Sequence, residues 1–374
     1  MRQSRPFSFL VAYVSTVANL IIGIPFLSSC YVVGTYGGDV TTCPPCDMHF
    51  GKLAISPEGK AIQEVNMKER GEPKSGTGFM FEWGVEALIR ACDYLKGLYG
   101  ESSCEVTVEM QKEGGLHDVL LCDFVFEPHR SSGDALCPCA EIDRVHIFIN
   151  RTEKHTLPVP KTCSWWHPTG ISVVRRSICR FPDGSKPKNY EETWNCMAQN
   201  NCPITAGNEL QMAVFRDPRA VAVSTFFWLH IYEKVDRYGR QVETLDDFAL
   251  RILPVLCQWT TVRFILFNEY LGEKSTVFWY EDARAEPVWW HRNWLASVGL
   301  NLPLDVLQAA TEVALSGAFD FRVKGFDQHP GQDGEASRRT LHKTLRNDTL
   351  ESMEPIMRLW LPPMLLARFE VPSQ

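Results

Sequence analysis

The sequence has no excess of positive charge. Its 38 Lys and Arg residues are outnumbered by 45 Asp and Glu, so the formal net charge of the 374 residues is −7. Such a chain lacks the broad basic footprint of proteins that bind nucleic acid, and nucleic acid is not an expected partner. Any site for an anion must therefore be local.

A long stretch near the N-terminus lacks charged side chains. Residues 7–38 contain none, and the most apolar part, 7–33, is long enough to cross a hydrocarbon core of about 30 Å. Arg2 and Arg5 precede it, which predicts a cytosolic N-terminus and a body on the far side of the membrane. A cleaved signal peptide is the main alternative. An uncleaved anchor is favoured because the apolar run is longer than a usual signal core.

This pattern predicts three regions. Residues 1–34 form a cytosolic tail and a signal-anchor transmembrane helix, 35–66 a stem or lead-in rich in Gly and Pro, and 67–374 a lumenal domain. The domain carries a Cys-rich insertion at 162–207. Glycosylation acceptor triplets at Asn150 and Asn347 fit the same compartment.

The cysteines lack the companions that a zinc site would need. Cys43-Pro-Pro-Cys46 and Cys137-Pro-Cys139 have no second Cys-x-x-Cys or His pair at finger spacing, so no metal is predicted. Setting Cys30 aside leaves 12 of 13 cysteines, an even set that suits disulfides in an oxidising compartment. In the insertion, crosslinks would supply order that a hydrophobic core does not.

One short stretch has the residues of an anion site. Residues 73–78 read Pro-Lys-Ser-Gly-Thr-Gly and precede a run with helical period. A glycine turn that opens a helix exposes backbone N–H groups and the positive end of the helix dipole. Lys74 would add a mobile charge, and the hydroxyl groups of Ser75 and Thr77 would add donors beside Gly76 and Gly78. The alternative is an ordinary helix start, where Ser and Thr are favoured caps.

A second stretch has the same character. Leu210 to Phe215 is apolar enough for a buried strand, Arg216 ends it, and Pro218 suits the first turn of a helix. Arg216 offers a fork to a phosphate, and Ser224, two helical turns later, offers a hydroxyl. A local salt bridge and helix cap would also explain an Arg-Asp-Pro turn.

The two stretches resemble the 5′-phosphosulfate loop and the 3′-phosphate motif of the sulfotransferase superfamily. A third run, Val-Phe-Trp-Tyr-Glu-Asp at 277–282, is similar to the strand ending in Tyr-Glu-Asp that lies downstream in the same family. The three occur in the family's order, and the matched frame covers roughly 70–300. The resemblance implies an α/β fold with a P-loop-like parallel sheet flanked by helices, and ligands at the carboxyl ends of its strands. One departure is the highly charged run 67–72, where the family has an apolar strand.

The resemblance also implies a reaction. The cofactor would be 3′-phosphoadenosine-5′-phosphosulfate (PAPS), the product adenosine 3′,5′-bisphosphate, and the reaction an in-line transfer to a hydroxyl acceptor. Lys74 would be the cation beside the bridging oxygen. His155 would be the general base, because Lys-His-Thr-Leu-Pro at 154–158 is similar to the family's Lys-Thr-His-Leu-Pro, with His and Thr exchanged. An exposed loop histidine is the alternative, and the other candidate bases are His117, His129 and Glu113.

The family usually ends with an Arg-Lys-Gly segment that closes over the adenosine 3′-phosphate. Residues 322–325 loosely resemble this segment. Arg338 and Arg339 would supply positive charge to the 3′-phosphate, or they are ordinary surface arginines.

The acceptor is expected to be a glycan, with a tyrosyl peptide or small alcohol as alternatives. The tryptophans that would offer aromatic faces to a sugar, unless they are core residues, are Trp165, Trp166, Trp289 and Trp290. The resemblance predicts a single-pass type II protein of the Golgi membrane with a lumenal catalytic domain.

Two other functions stay open. One is a catalytically inactive relative that acts as a lumenal binding module, which the His-Thr exchange and the charged run at 67–72 both allow. The other is a P-loop kinase or ATPase. That class needs Gly-Lys-[Ser/Thr] after its glycine turn, whereas Lys74 precedes the glycines.

Overall fold

The computed structural model describes residues 49–51, 53–55, 57, 59–71, 75–113, 117–128, 142–152, 180–200, 208–229, 238, 243–270, 274–317 and 345–369. All of them belong to one compact unit, Cys43–Gln374. The apolar segment predicted to span a membrane, 7–33, lies outside the described residues.

Strands and helices alternate through much of this unit. The strands are β1 (His49–Phe50), β2 (Ala54–Ile55), β3 (Ala61–Gly71), β4 (Cys104–Glu113), β5 (His117–Phe126), β6 (Ile142–Thr152), β7 (Leu210–Phe215), β8 (Ser275–Trp279) and β9 (Leu300–Asn301). The helices are α1 (Thr77–Tyr99), α2 (Tyr190–Gln199), α3 (Pro218–Trp228), α4 (Leu245–Ile265), α5 (Tyr280–Ala285), α6 (Pro287–Ser297), α7 (Leu304–Ser316), α8 (Asn347–Trp360) and α9 (Pro363–Arg368), with a π-helical turn (Leu266–Tyr270) after α4.

The main sheet is mixed, so the prediction of a parallel sheet is right for only half of it. Its strand order is β4-β5-β6-β3-β7-β8, with β2 added to β3. β6, β3, β7 and β8 run parallel, whereas β4, β5 and β6 pair antiparallel. In the parallel half Gly71 pairs with Val214, and Phe215 pairs with Trp279. The turns that follow β3, β7 and β8 therefore meet at one edge of the sheet.

Helices cover both faces of the parallel half. Along β7, Met212 and Val214 join the hydrophobic cluster beneath α1, α6 and α7. The alternate residues Ala213 and Phe215 join a second cluster with α4. Because successive side chains of a strand point to opposite faces, β7 is buried on both sides.

The charged run before the glycine turn belongs to the central strand. β3 extends from Ala61 to Gly71 and lies between β6 and β7. It therefore includes residues 67–71 of the charged run, where the family has an apolar strand. Glu69 and Arg70 are buried there, at 0% and 5% exposure. Arg70 donates from Nε to Oε1 of Gln211 at 2.7 Å. The boundary expected between 66 and 67 lies inside this strand, and β1 and β2 lie in the segment expected to be a stem.

One described helix is long and apolar enough to cross a membrane. It is Leu245–Asn268, and 78% of its most apolar window is buried within the unit. Its residues Phe248 and Leu253 share a hydrophobic cluster with α3 and with Met357 of α8. Its surroundings are those of a core helix.

The insertion at 162–207 contains a helix that the sequence analysis did not predict. Asn189 caps α2 by accepting from the backbone N–H of Glu192 at 2.8 Å. Cys196 is disulfide-bonded, and with Met197 it packs against Val262 on α4. Disulfide bonding and a hydrophobic core therefore both hold this part of the insertion, rather than crosslinks alone.

The cysteines do not all form disulfides. Cys92 of α1 is bonded to Cys104 at the start of β4. Cys122 is a buried free thiol, so the 12 cysteines that suit disulfides do not all pair. Of the two glycosylation triplets, Asn150 lies inside β6 with its Oδ1 buried and is a poor acceptor, whereas Asn347 is exposed at the start of α8.

Candidate functional site

The glycine turn opens α1, as its sequence predicts. Gly76 is the N-cap residue and has φ 107° and ψ 19°, a left-handed conformation that favours glycine. Its carbonyl accepts from the N–H of Met80 at 2.9 Å, which starts the helix. Ser75 and Thr77 are buried, and Gly78 is half-buried. No side chain of the described residues caps this helix end, and the first N–H groups of a helix have no partner within it.

The Arg-Asp-Pro-Arg turn opens α3 directly after β7. Asp217 caps the helix by accepting from the N–H of Arg219 at 2.8 Å. The same carboxylate pairs with the guanidinium of Arg219, whose Nη2 lies 2.6 Å from Oδ2 and also donates to the carbonyl of Phe369 at 2.7 Å. The local salt bridge and cap considered from sequence therefore exist, but they are made by Asp217 and Arg219. Arg216 takes no part in them.

The Tyr-Glu-Asp run begins at the end of β8 and forms the start of α5. Glu281 accepts from the backbone N–H of Asp217 at 2.9 Å through Oε1, and it joins α5 to the start of α3. Asp282 pairs with Arg368 of α9. Tyr280, the first residue of α5, is buried to 8% exposure. Glu281 therefore joins α5 to α3, and Asp282 joins α5 to α9.

The ring of Tyr280 is in contact with both turns. The guanidinium carbon of Arg216 lies 4.4 Å from the ring centroid, a cation–π contact. A β-carbon built on Gly76 would come within 2.7 Å of Cδ2 of the same ring. Gly76 and Arg216 are therefore neighbours of one side chain, and the two turns lie close enough to contact a single small molecule.

Two carboxyl groups beside the turns have perturbed pKa values. Burial raises the pKa of Glu281, opposed by the N–H of Asp217 that its carboxylate accepts; the nearby charge of Arg216 also lowers it. Burial raises the pKa of Glu69 to about 8, opposed by the charge of Arg151 and reinforced by that of Glu82. Carboxyl groups shifted in this way are concentrated at functional sites in proteins.

The structure places some predicted site residues and leaves others outside its description. Ser224 is half-buried in the second turn of α3. Trp290 is a core residue at 1% exposure, packed against Trp83, whereas Trp289 is 52% exposed. Glu113 and His117 pair at the end of β4 and the start of β5, which is the carboxyl edge of the parallel strands because Val119 pairs with Thr152 at the end of β6. The predicted residues outside the described part are Lys74, His129, His155, Trp165, Trp166, Arg338 and Arg339.

Glu69 and Arg151 are not among the site residues predicted from the sequence, although Arg151 lies beside Gly78 of the α1 turn. Glu69 is a charged residue inside a central strand, and Arg151 was noted only within a glycosylation triplet. In the structure they are direct neighbours on β3 and β6. A charged side chain in a segment that must be a buried strand was the available signal, since buried charges need a partner or a function.

No group of three or more His, Cys, Asp or Glu side chains within the described ranges is placed to hold a metal ion.

No protein-family model matches the chain, and no curated protein matches it. Among solved structures, the crystal structure of mouse sulfotransferase SULT7A1 complexed with PAP is 13% identical to this chain. The match covers 82% of this chain and 87% of that one, with a TM-score of 0.35.

Proposed function

We propose that the chain is a sulfotransferase that moves the sulfuryl group of PAPS to a hydroxyl acceptor. The observation that supports this most is the position of Tyr280. Its ring contacts Gly76 in the turn expected to hold a 5′-phosphosulfate and Arg216 in the turn expected to hold a 3′-phosphate. Two anion-binding turns around one side chain suit a ligand with two anionic groups on one small nucleoside.

The residues present fit such a nucleotide. The left-handed Gly76 and the N–H groups at the start of α1 form a cradle for the 5′ group, and a β-carbon at position 76 would overlap Tyr280. Ser75 and Thr77 add hydroxyl groups to that cradle. Arg216 would bind the 3′-phosphate, with Ser224 as a second donor. Arg338 and Arg339 are proposed to close over it.

Catalysis would consist mainly of positioning and charge neutralisation. When bound, PAPS supplies the activated sulfuryl group. Lys74 is proposed to stabilise charge on the departing phosphate, and His155 to take the proton of the acceptor hydroxyl. Glu69 has no exposed surface and therefore cannot reach an acceptor itself.

We further propose that the acceptor is a carbohydrate and that the domain lies in the Golgi lumen, anchored by the apolar segment 7–33. The Cys92–Cys104 disulfide and the disulfide-bonded Cys196 support an oxidising compartment. The exposed Asn347 is compatible with glycosylation there.

Binding and transfer can be tested separately. Calorimetric titration with adenosine 3′,5′-bisphosphate should show binding, and Arg216→Ala should weaken it by about 10- to 100-fold, the usual effect of losing hydrogen bonds to a charged group. Arg284→Ala is the matched control, because Arg284 is exposed on α5, which also carries Tyr280. Transfer is measured with ³⁵S-labelled PAPS and a panel of glycans, tyrosyl peptides and small alcohols.

Each alternative has its own outcome. Nucleotide binding without label in any acceptor would favour the inactive binding module. Magnesium-dependent binding of ATP would favour a kinase or ATPase. The absence of any binding to adenosine 3′,5′-bisphosphate would end the proposal.

A further inference from the structure

Glu69 is a buried carboxyl group without a partner. Its side chain has 0% exposure at the carboxyl end of β3, and neither Oε1 nor Oε2 has a hydrogen-bond partner among the described residues. An ionised carboxylate in such surroundings is costly, so the neutral acid is favoured. Burial accordingly raises the pKa of Glu69 to about 8. At neutral pH the group is mostly an uncharged carboxylic acid.

Arg151 lies beside Glu69 and reaches the glycine turn. The two residues are partners in the parallel pairing of β3 and β6. Met67 and Ile149, two residues earlier on each strand, belong to the cluster beneath α1, so Glu69 and Arg151 also face α1. A β-carbon built on Gly78 would lie 3.5 Å from Nη2 and 3.8 Å from Cζ of Arg151. A guanidinium therefore lies against the first turn of α1.

The charged and titratable groups around Glu69 lie on β6, α1 and β5, which pack beside it. Arg151 on β6 and Glu82 on α1 are the described charges that act on it. On β5, Cys122 lies near enough for Glu69 to help raise the pKa of its thiol, after burial and Asp123, so this thiol stays protonated. On β7 the residue in register with Glu69 is Met212, which does not ionise. Within the described part, Arg151 is thus the cation that an ionised Glu69 would attract.

We propose that Arg151 is an additional anion-binding residue of the α1 turn and that Glu69 makes its attraction for the anion depend on pH. This rests on the proposed function, because the anion would be the 5′ group of the nucleotide. While Glu69 is protonated, Arg151 offers its full charge to that group. Once Glu69 loses its proton, the carboxylate competes for the guanidinium. Above its pKa, binding of the anion then transfers a proton from solvent back to an oxygen of Glu69.

The expected signature is an affinity that falls as pH rises. Between pH 7 and pH 9, the affinity of the wild-type protein for adenosine 3′,5′-bisphosphate should fall by up to about tenfold, because one proton must be taken up on binding. Second ionisation of the ligand's phosphates, near pH 6, would raise affinity with pH and cannot produce this trend. Calorimetry at pH 8 in two buffers of different ionisation enthalpy should show uptake of about half a proton.

Two variants and a control separate the parts. Arg151→Gln should bind about tenfold more weakly at pH 7 and lose the decline with pH. Glu69→Gln should lose both the decline and the proton uptake. Glu64→Gln, on an exposed site of the same strand, should keep both. Thermal unfolding in the same buffers shows whether each variant is folded. If Glu69→Gln does not fold, wild-type proton uptake and Arg151→Gln decide the question.

The outcomes distinguish the two proposals. No binding by the wild-type protein at any pH would defeat the proposed function and this inference together. Binding that is independent of pH and involves no proton uptake would overturn this inference alone and leave the proposed function standing. An Arg151→Gln variant that binds as well as the wild type would do the same.

Discussion

Arg216, Asp217 and Arg219 are close in sequence, yet their charges act on different parts of the fold. Asp217 and Arg219 hold each other, and Arg219 also reaches the carbonyl of Phe369 near the end of the described chain. Arg216 instead lies over Tyr280. The sequence analysis assigned Arg216 to the phosphate, and the contacts show that Arg219 instead joins α3 to Phe369 after α9. The different roles of the two arginines are set by tertiary neighbours.

Gly76 is the residue whose conformation the proposed anion cradle most requires. Replacing Gly76 by Ala puts a β-carbon at φ 107° and against the ring of Tyr280. We expect a loss of about 2–4 kcal/mol in the free energy of unfolding, with loss of nucleotide binding. Gly97→Ala is the matched control in α1, since nothing lies within 4 Å of its added β-carbon. It should stabilise the helix by about 0.5 kcal/mol. Urea unfolding of both variants measures the difference, and equal effects would contradict it.

Glu69 gives a second expectation at this scale, in stability rather than binding. Its pKa in the folded protein is about 8, above the ordinary value of 4.5, so the folded state binds more protons than the unfolded state between these values. Stability must then fall as pH rises through this window, by up to about 1.4 kcal/mol per pH unit. Glu69→Gln removes the titration. The free energy of unfolding of Glu69→Gln minus that of the wild type, measured in urea, should increase at each step from pH 5 to pH 8. A difference that does not change with pH would show that Glu69 does not titrate in this range.

At the scale of elements, period and capping predicted the two helices that open at the turns and the strand before the second turn. The strand Leu210–Phe215 and the helix opened by Pro218 match the structure. β4 was missed although the buried Cys104 and the half-buried Val106, Val108 and Met110 alternate with exposed residues, because its charged side chains obscured the period of two. β3 could not be assigned with certainty from its pattern. Buried charges such as Glu69 and Arg70 are tolerated through tertiary contacts, which local sequence does not encode.

The candidate site was predictable in part for the same reason. The two turns are local patterns, and each opens the helix that its sequence indicates. Tyr-Glu-Asp, expected to end a strand, instead forms the start of α5, because β8 ends at Trp279. Their convergence on Tyr280 depends on the order β3-β7-β8 in the sheet. Arg151 reaches Gly78 only because β6 is the other neighbour of β3. Neither strand neighbour can be deduced from spacing along the chain.

His291 joins three helices and should make their packing sensitive to acid. It lies on α6, with Nδ1 2.8 Å from Oγ1 of Thr311 on α7 and Nε2 3.2 Å from the carbonyl of Trp83 on α1. Burial lowers the pKa of His291 to about 4, opposed by its hydrogen bond to the Trp83 carbonyl. The unfolded state therefore binds more protons between pH 4 and the ordinary pKa of 6.5. This contribution to stability is complete above pH 6.5 and is lost as pH falls.

His291→Gln removes that titration. The wild type should lose up to about 1.4 kcal/mol per pH unit relative to this variant as pH falls from 6.5 to 4.5, measured by urea unfolding. Thr311→Val is the control, because it removes the hydroxyl partner but no titrating group and should shift stability equally at every pH. Parallel pH profiles for His291→Gln and the wild type would show that the histidine is not responsible.

For the whole molecule, the boundary of the folded domain can be tested by truncation. The sequence pattern placed it between 66 and 67, whereas β3 runs from Ala61 to Gly71 at the centre of the main sheet. Removing 61–66 would delete the first half of the strand that joins β6 to β7. It would also remove Gln63, which is buried and donates to the carbonyl of Val298 at 2.7 Å. We therefore expect the fragment 43–374, with its disulfides intact, to unfold in one cooperative thermal transition. The fragment 67–374 should show no such transition.

A fragment 57–374, which lacks β1 and β2 but keeps β3, serves as the control and should be folded with a lower Tm. If 67–374 melted as cooperatively as 43–374 and at the same Tm, β3 could not be the strand on which the sheet, and with it the two phosphate turns, depends.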